Sequence, residues 1–182
     1  VSARIDDAQG STEHRARFAA YLQRVQDEDL SLGIAMTDAK GDRSLRPHQQ
    51  ANPDTYVHVV ERNARGIVIS GTKAIVTGAP YMHEFLVMPC RNMSVQDADF
   101  AVCCAVPVDT SGITIVARPA GRPGDKVEHG APLFSRRYGQ STGVVIFDRV
   151  FVPWERVFYA GEWEHSGALT HHYATHHRHS CI

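Results

Sequence analysis

The chain has 182 residues, of which 43% are hydrophobic and 21% charged, the balance of an ordinary globular domain rather than of a disordered or fibrous chain. Its formal net charge of −1 gives no electrostatic reason to expect nucleic acid or an anionic membrane as a partner. No apolar run approaches the roughly 20 residues of a membrane helix, and the polar start at Val1–Asp7 carries no signal peptide, so a cytoplasmic protein is expected.

In chain order, Ser11 and Thr12 form an N-cap signal with Glu13 in the first turn, and Phe18, Leu22 and Val25 recur at helical spacing. This predicts a helix to about Asp29. Residues 30–54 have few periodic apolar positions and read as a long ordered loop, of a length that often carries function. From Tyr56 the pattern becomes strand-like. Residues 56–61 and 67–70 flank Arg62-Asn-Ala-Arg-Gly66, a hairpin turn. Further strands are expected over 73–77, 84–88, 100–106, 112–118, 143–148 and 150–152. Residues 119–142, rich in Pro, Gly and charge, read as a long excursion. Pro153 and Trp154 end the strand series, with Trp154 expected to close one end of the core. A helix follows Gly167. Its lack of a stop signal, like the missing initial Met, suggests a piece of a longer polypeptide. Many short strands joined mostly by turns predict a small antiparallel barrel or sandwich.

The four cysteines do not form a disulfide framework. Cys103 and Cys104 are adjacent in a strand and point to opposite faces, so reduced and mostly buried thiols are expected. Six histidines follow from His165 onward, and His172, His176 and His179 share one helix face. Imidazoles at that spacing could ligate a metal, but no carboxylate accompanies them on the helix; a solvated or packing face is expected, with no metal site.

Several segments carry a family resemblance. Val68–Ala79 resembles the flavin-facing strand of the acyl-CoA dehydrogenase fold. Asp38-Ala-Lys-Gly-Asp-Arg-Ser44, Tyr56-Val-His-Val-Val-Glu-Arg62, His83-Glu-Phe-Leu-Val-Met-Pro89 and Phe147-Asp-Arg-Val-Phe-Val-Pro-Trp-Glu-Arg-Val-Phe158 resemble the family that unites 4-hydroxyphenylacetate 3-hydroxylase with 4-hydroxybutyryl-CoA dehydratase. The resemblance runs from about residue 13 to 182. It implies a mainly β, acyl-CoA dehydrogenase-like middle β-barrel domain flanked by helical segments. Residues 1–30 would end an N-terminal helical region, 31–160 form the flavin and substrate barrel, and 161–182 begin a C-terminal helical domain.

The resemblance also implies FAD as cofactor, with contacts from Met36, Thr37, Lys40, Asp42, Arg43, Val76 and Thr77. A flavin needs a flat wall and a few donors aimed at its ring, which Thr77 beside Gly78 can supply. Lys40 and Arg43 suit a flavin diphosphate or a CoA phosphate. His177, in a His-Arg pair, matches an iron–sulfur ligand of the dehydratase branch and is the candidate catalytic residue. Its companion cysteines would lie outside the chain. Thr142 stands where the dehydratase has a catalytic glutamate, Cys181 where it has a tyrosine, and Ile34 where the hydroxylase has a histidine. The expected function is a flavin-dependent oxidoreductase, a reduced-flavin monooxygenase acting on a phenolic or related small molecule. It would be a homotetramer served by a flavin reductase, the chain alone holding flavin weakly and being inactive by itself. The alternatives are a dehydratase or vinylacetyl-CoA isomerase-like enzyme with an iron–sulfur cluster, and an inactive scaffold subunit.

Overall fold

A computed structural model describes residues 1–118 and 141–180. Most of the expected excursion, and Cys181, lie outside the described residues. Among the described residues, three helices cover one face of two stacked four-stranded sheets. The first sheet runs β1 (Leu32–Ala35), β4 (Glu84–Val87), β5 (Val102–Pro107), β8 (Val157–Ala160), with β1 and β4 parallel. The second runs β2 (His58–Asn63), β3 (Gly66–Thr77), β7 (Thr142–Pro153), β6 (Ile113–Ala117), antiparallel throughout. Among the described residues this is a two-sheet stack rather than the closed barrel expected from the sequence. The sheets are tied at one corner by an isolated bridge between Asp38 and Lys73.

The inter-sheet core is built from alternating β-branched and aromatic residues, including Ile67, Ile69, Val76, Phe85, Val106, Val145 and Phe147. A second apolar cluster lies beneath the helices and contains Ile5, Tyr21, Cys103, Phe158 and Tyr159. Cys103 and Cys104 therefore do face opposite sides of β5, each in a different core, and both thiols are free. Burial pushes the Cys103 thiol up to about 12. Trp154 packs at the edge of the inter-sheet core, with its indole N–H donated to the Asn63 carbonyl.

The helices are α1 (Ser2–Gln9), α2 (Glu13–Asp27) and α3 (Ser166–Ser180). α1 has no periodic apolar face and was not expected. α2 docks through His14 and Tyr21, with Phe18 edge-on against Phe158 and Val25 partly buried, so that of the expected Phe18, Leu22 and Val25 face only Val25 is not exposed. Polar ties help to seat the helix. His14 Nδ1 lies 3.0 Å from Asp6 of α1, and Arg24 pairs with the buried Glu84, which Arg156 also holds at 3.0 Å. A buried carboxylate needs such partners, and here they fix where α2 sits.

Candidate functional site

The site is assembled by the tail of β1, the C-terminal half of β3 and the last turns of α3. After Ala35 the chain leaves the first sheet and crosses to β3. The Thr37 carbonyl accepts the Ala74 N–H at 2.8 Å, and the Ala39 N–H is donated to Thr72 at 3.2 Å. Lys73 secures this crossing from within. Only 1% exposed, it places Nζ 2.7 Å from Asp38 Oδ1 and donates to the Met36 and Met88 carbonyls at 3.0 and 2.8 Å. Asp38 Oδ1 also accepts the Val57 N–H at 3.1 Å. A charged pair tolerates an interior only when its remaining donors and acceptors are met, as these are. The pair fixes the backbone on which Met36 and Thr37 are displayed.

β3 carries a bulge near its end. Lys73 and Val76 pair with Val145 and Gly143, which leaves Ala74 and Ile75 opposite Val144 alone. The bulge turns the Val76 side chain into the inter-sheet core and Ile75 outward. Thr77, in register with Thr142, is exposed. Gly78 follows at φ 72, with its N–H donated to Ser141 at 2.8 Å. A side chain is disfavoured at that φ, and a Cβ there would run into the Met82 side chain.

These elements and α3 enclose a cleft of about 480 Å³. Met36, Thr37 and Thr77 line one side, with Ile34 and Ile75; Tyr173, His177 and Arg178 line the other. Four residues expected from sequence, Met36, Thr37, Thr77 and His177, thus meet at one place although they span 142 positions of chain (177 − 36 + 1). The Tyr173 and His177 rings are 5.9 Å apart at 33°. Among the described residues neither the Thr37 nor the Thr77 hydroxyl has a side-chain hydrogen bond, so both are available to a ligand.

The remaining expected residues stand elsewhere. Val76 is fully buried and can face a ligand only through its main chain. Lys40 and Arg43 line a separate depression of about 260 Å³ with Tyr56, Cys90 and Arg91, a third cation that no sequence signal had marked. Asp42 builds the turn between them. Its carboxylate accepts the Ser44 hydroxyl and N–H at 2.7 and 2.8 Å, bonds that hold its pKa below the usual carboxylate range. Ile75, Tyr173 and Arg178 were also missed. The three histidines His172, His176 and His179 are exposed, and no group of three metal-ligating side chains occurs among the described residues.

Residues 1–159 match the family described as 4-hydroxyphenylacetate 3-hydroxylase, N terminal. The chain is 37% identical over 178 residues to the 4-hydroxybutyryl-CoA dehydratase/vinylacetyl-CoA-Delta-isomerase of Clostridium aminobutyricum, an overlap of 97% of this chain and 36% of that protein. It is 35% identical over 159 residues to the 4-hydroxyphenylacetate 3-monooxygenase oxygenase component of Thermus thermophilus, covering 83% of this chain and 32% of the relative. Among solved structures, the oxygen-tolerant 4-hydroxybutyryl-CoA dehydratase of N. maritimus superposes with a TM-score of 0.80 at 35% identity, over 91% of this chain and 33% of the other. An FAD complex of a 4-hydroxyphenylacetate 3-monooxygenase oxygenase component superposes at 0.73 and 31%, over 89% of this chain and 32% of the other. The chain thus spans about a third of the length of the relatives it matches. With a two-sheet stack that superposes on both branches and a family match over residues 1–159, this chain belongs to the 4-hydroxyphenylacetate 3-hydroxylase family.

Proposed function

We propose that the chain forms the flavin- and substrate-facing part of an FAD-dependent monooxygenase acting on a phenolic or related small molecule. The convergence of Met36, Thr37, Thr77 and His177 on one cleft carries this reading. The residues fit the group. Two hydroxyls without side-chain partners can donate to ring carbonyl and nitrogen atoms, while Ile34 and Ile75 give an apolar wall. Arg178 brings a fixed positive charge to a site where a reduced ring gains negative charge. Lys40, Arg43 and Arg91 offer three cations to the phosphates of the cofactor. When bound, reduced flavin supplies two electrons to dioxygen, so that one oxygen atom enters the ring of the substrate and the other leaves as water.

The chain's own part is to bind, orient and keep water out. Leu32, Ile34 and Ile75 exclude solvent from the ring face. His177, in the cleft wall, would orient the phenol hydroxyl through a ring nitrogen. The finer points of the reading are a cytoplasmic homotetramer, a flavin reductase partner, and a division into the end of an N-terminal helical region (1–30), the two-sheet flavin and substrate domain (31–160) and the start of a C-terminal helical domain (161–182).

The second reading, a dehydratase or isomerase acting on an acyl-CoA, is favoured by the identity of 37% over 97% of the chain. Thr142 weighs against it, because a hydroxyl cannot replace a carboxylate base. Oxygen uptake separates the two. On mixing with reduced FAD and a series of phenols, a hydroxylated product formed with oxygen consumption supports the monooxygenase. Iron and sulfide in the purified protein, with dehydration of a hydroxyacyl-CoA, would replace it by the second reading. A preparation that never takes up flavin would leave only a scaffold.

A further inference from the structure

Ile75 has the least comfortable backbone in the cleft. It sits within β3 at φ 60, the left-handed region, which β-branched residues tolerate worst. Its side chain is 71% exposed, so no protein core rewards the conformation. Along a regular strand Ile75 would face inward, as Lys73 does, and Val76 outward. The bulge opposite Val144 reverses the two: Val76 is fully buried and Ile75 projects into the cleft. Gly, Asn or Asp would adopt this φ with less strain, yet a branched aliphatic side chain stands there. Backbone strain persists where the surroundings enforce it, and it concentrates at ligand sites. Here the enforcement is visible. The Ala74 N–H is held by the Thr37 carbonyl at 2.8 Å, and Lys73 is locked to Asp38 on the other side of the bulge.

We propose that Ile75 is a specificity-determining residue of the cleft: the bulge holds its side chain, in the cleft that Thr37 and Thr77 also line, as an apolar ledge for the face of a flat aromatic ring, at the expense of fold stability. The inference rests on the flavin reading above and adds to it the residue that selects for planarity. Hydroxyls at the ring edge and an aliphatic ledge against its face would together favour a tricyclic ring over a flexible chain of similar polarity.

The test uses the 182-residue chain and Ile75→Gly, Ile75→Asn and Ile75→Leu, with thermal unfolding as one readout and quenching of riboflavin and FAD fluorescence, titrated into the high-micromolar range, as the other. Ile75→Gly and Ile75→Asn are expected to raise the unfolding midpoint by about 2–4 °C as strain is released. The same variants are expected to weaken flavin binding about 3- to 10-fold as apolar contact is lost. Ile75→Leu, which keeps an apolar side chain, should bind within about twofold of the parent. Unchanged binding by Ile75→Gly overturns this proposal alone, and a lowered midpoint in both Gly and Asn variants overturns the claim that stability is given up at this position. No saturable quenching by the parent chain overturns the flavin reading and this proposal with it.

Discussion

At the scale of single residues, Lys73 is the most consequential side chain in the molecule. It joins the two sheets at the corner where Asp38 bridges to β3, and sets the position of Met36 through the carbonyl it binds. Lys73→Met should leave Asp38 charged and unpaired in the interior, at a cost of about 3–5 kcal/mol in urea denaturation. Lys73→Met combined with Asp38→Leu should recover part of that loss, because no lone charge remains. A single variant as stable as the parent would show that the pair contributes nothing. The sequence displayed Lys73 only as a charge in an apolar strand, since nothing local distinguishes a solvated lysine from a paired one. Thr77 was legible because a small polar residue before a glycine ends an apolar run. Ile75 was not, because an Ile-Val pair in a strand does not say which member faces in; the bulge decides it, and bulges come from tertiary pairing.

At the scale of elements, a second buried carboxylate, besides Asp38, fastens the loop between β1 and β2. Asp97 is fully buried in the 3-10 segment Val95–Phe100. It accepts Arg46 Nη2 at 2.6 Å, and its other oxygen lies 2.6 Å from His48 Nδ1. The Ser94 hydroxyl is donated to it at 2.6 Å as well. Burial alone would raise its pKa, but the Ser94, His48 and Arg46 hydrogen bonds prevail and hold it well below the usual carboxylate range. A depressed carboxylate contributes stability that is complete above its unfolded value near pH 4 and is lost as pH falls toward the folded value. The unfolding midpoint of Asp97→Asn, measured from about pH 6 down to 2, should therefore lie below that of the parent at pH 6 and converge with it in acid. Parallel curves would contradict this assignment. The element pattern was mostly legible. The turn of the β2–β3 hairpin and the strands β4 to β6 fall where alternation placed them, whereas β8 follows the Pro153–Trp154 pair that was expected to end the strand series. β1 was hidden in the 30–54 loop because it has only four residues, with a glycine among them. β3 read as two strands because Gly71, at φ 127, interrupts the apolar run, and β7 because a bulge passes through Arg149 at φ 50.

At the scale of the whole molecule, the three-layer arrangement explains why the site lies where it does. Among the described residues the helices pack against the first sheet, and the cleft opens where α3 meets the tail of β1 and the end of β3. Family membership was legible from motif order, and the match over residues 1–159 agrees with it. The expected barrel was not found, because strand count and turn spacing do not reveal whether sheet edges pair around a closed ring.

The central claim is that a flat redox cofactor rests in the cleft between the β3 bulge and α3. Backbone amide NMR of the 182-residue chain, titrated with FAD, tests it most directly. The account predicts saturable shifts concentrated on the amides of Met36, Thr37, Ile75, Thr77 and His177, with weaker shifts at Lys40, Arg43 and Arg91. Shifts confined to the apolar hollow beside Phe18 and Phe158, or no saturable shift at all, would contradict it.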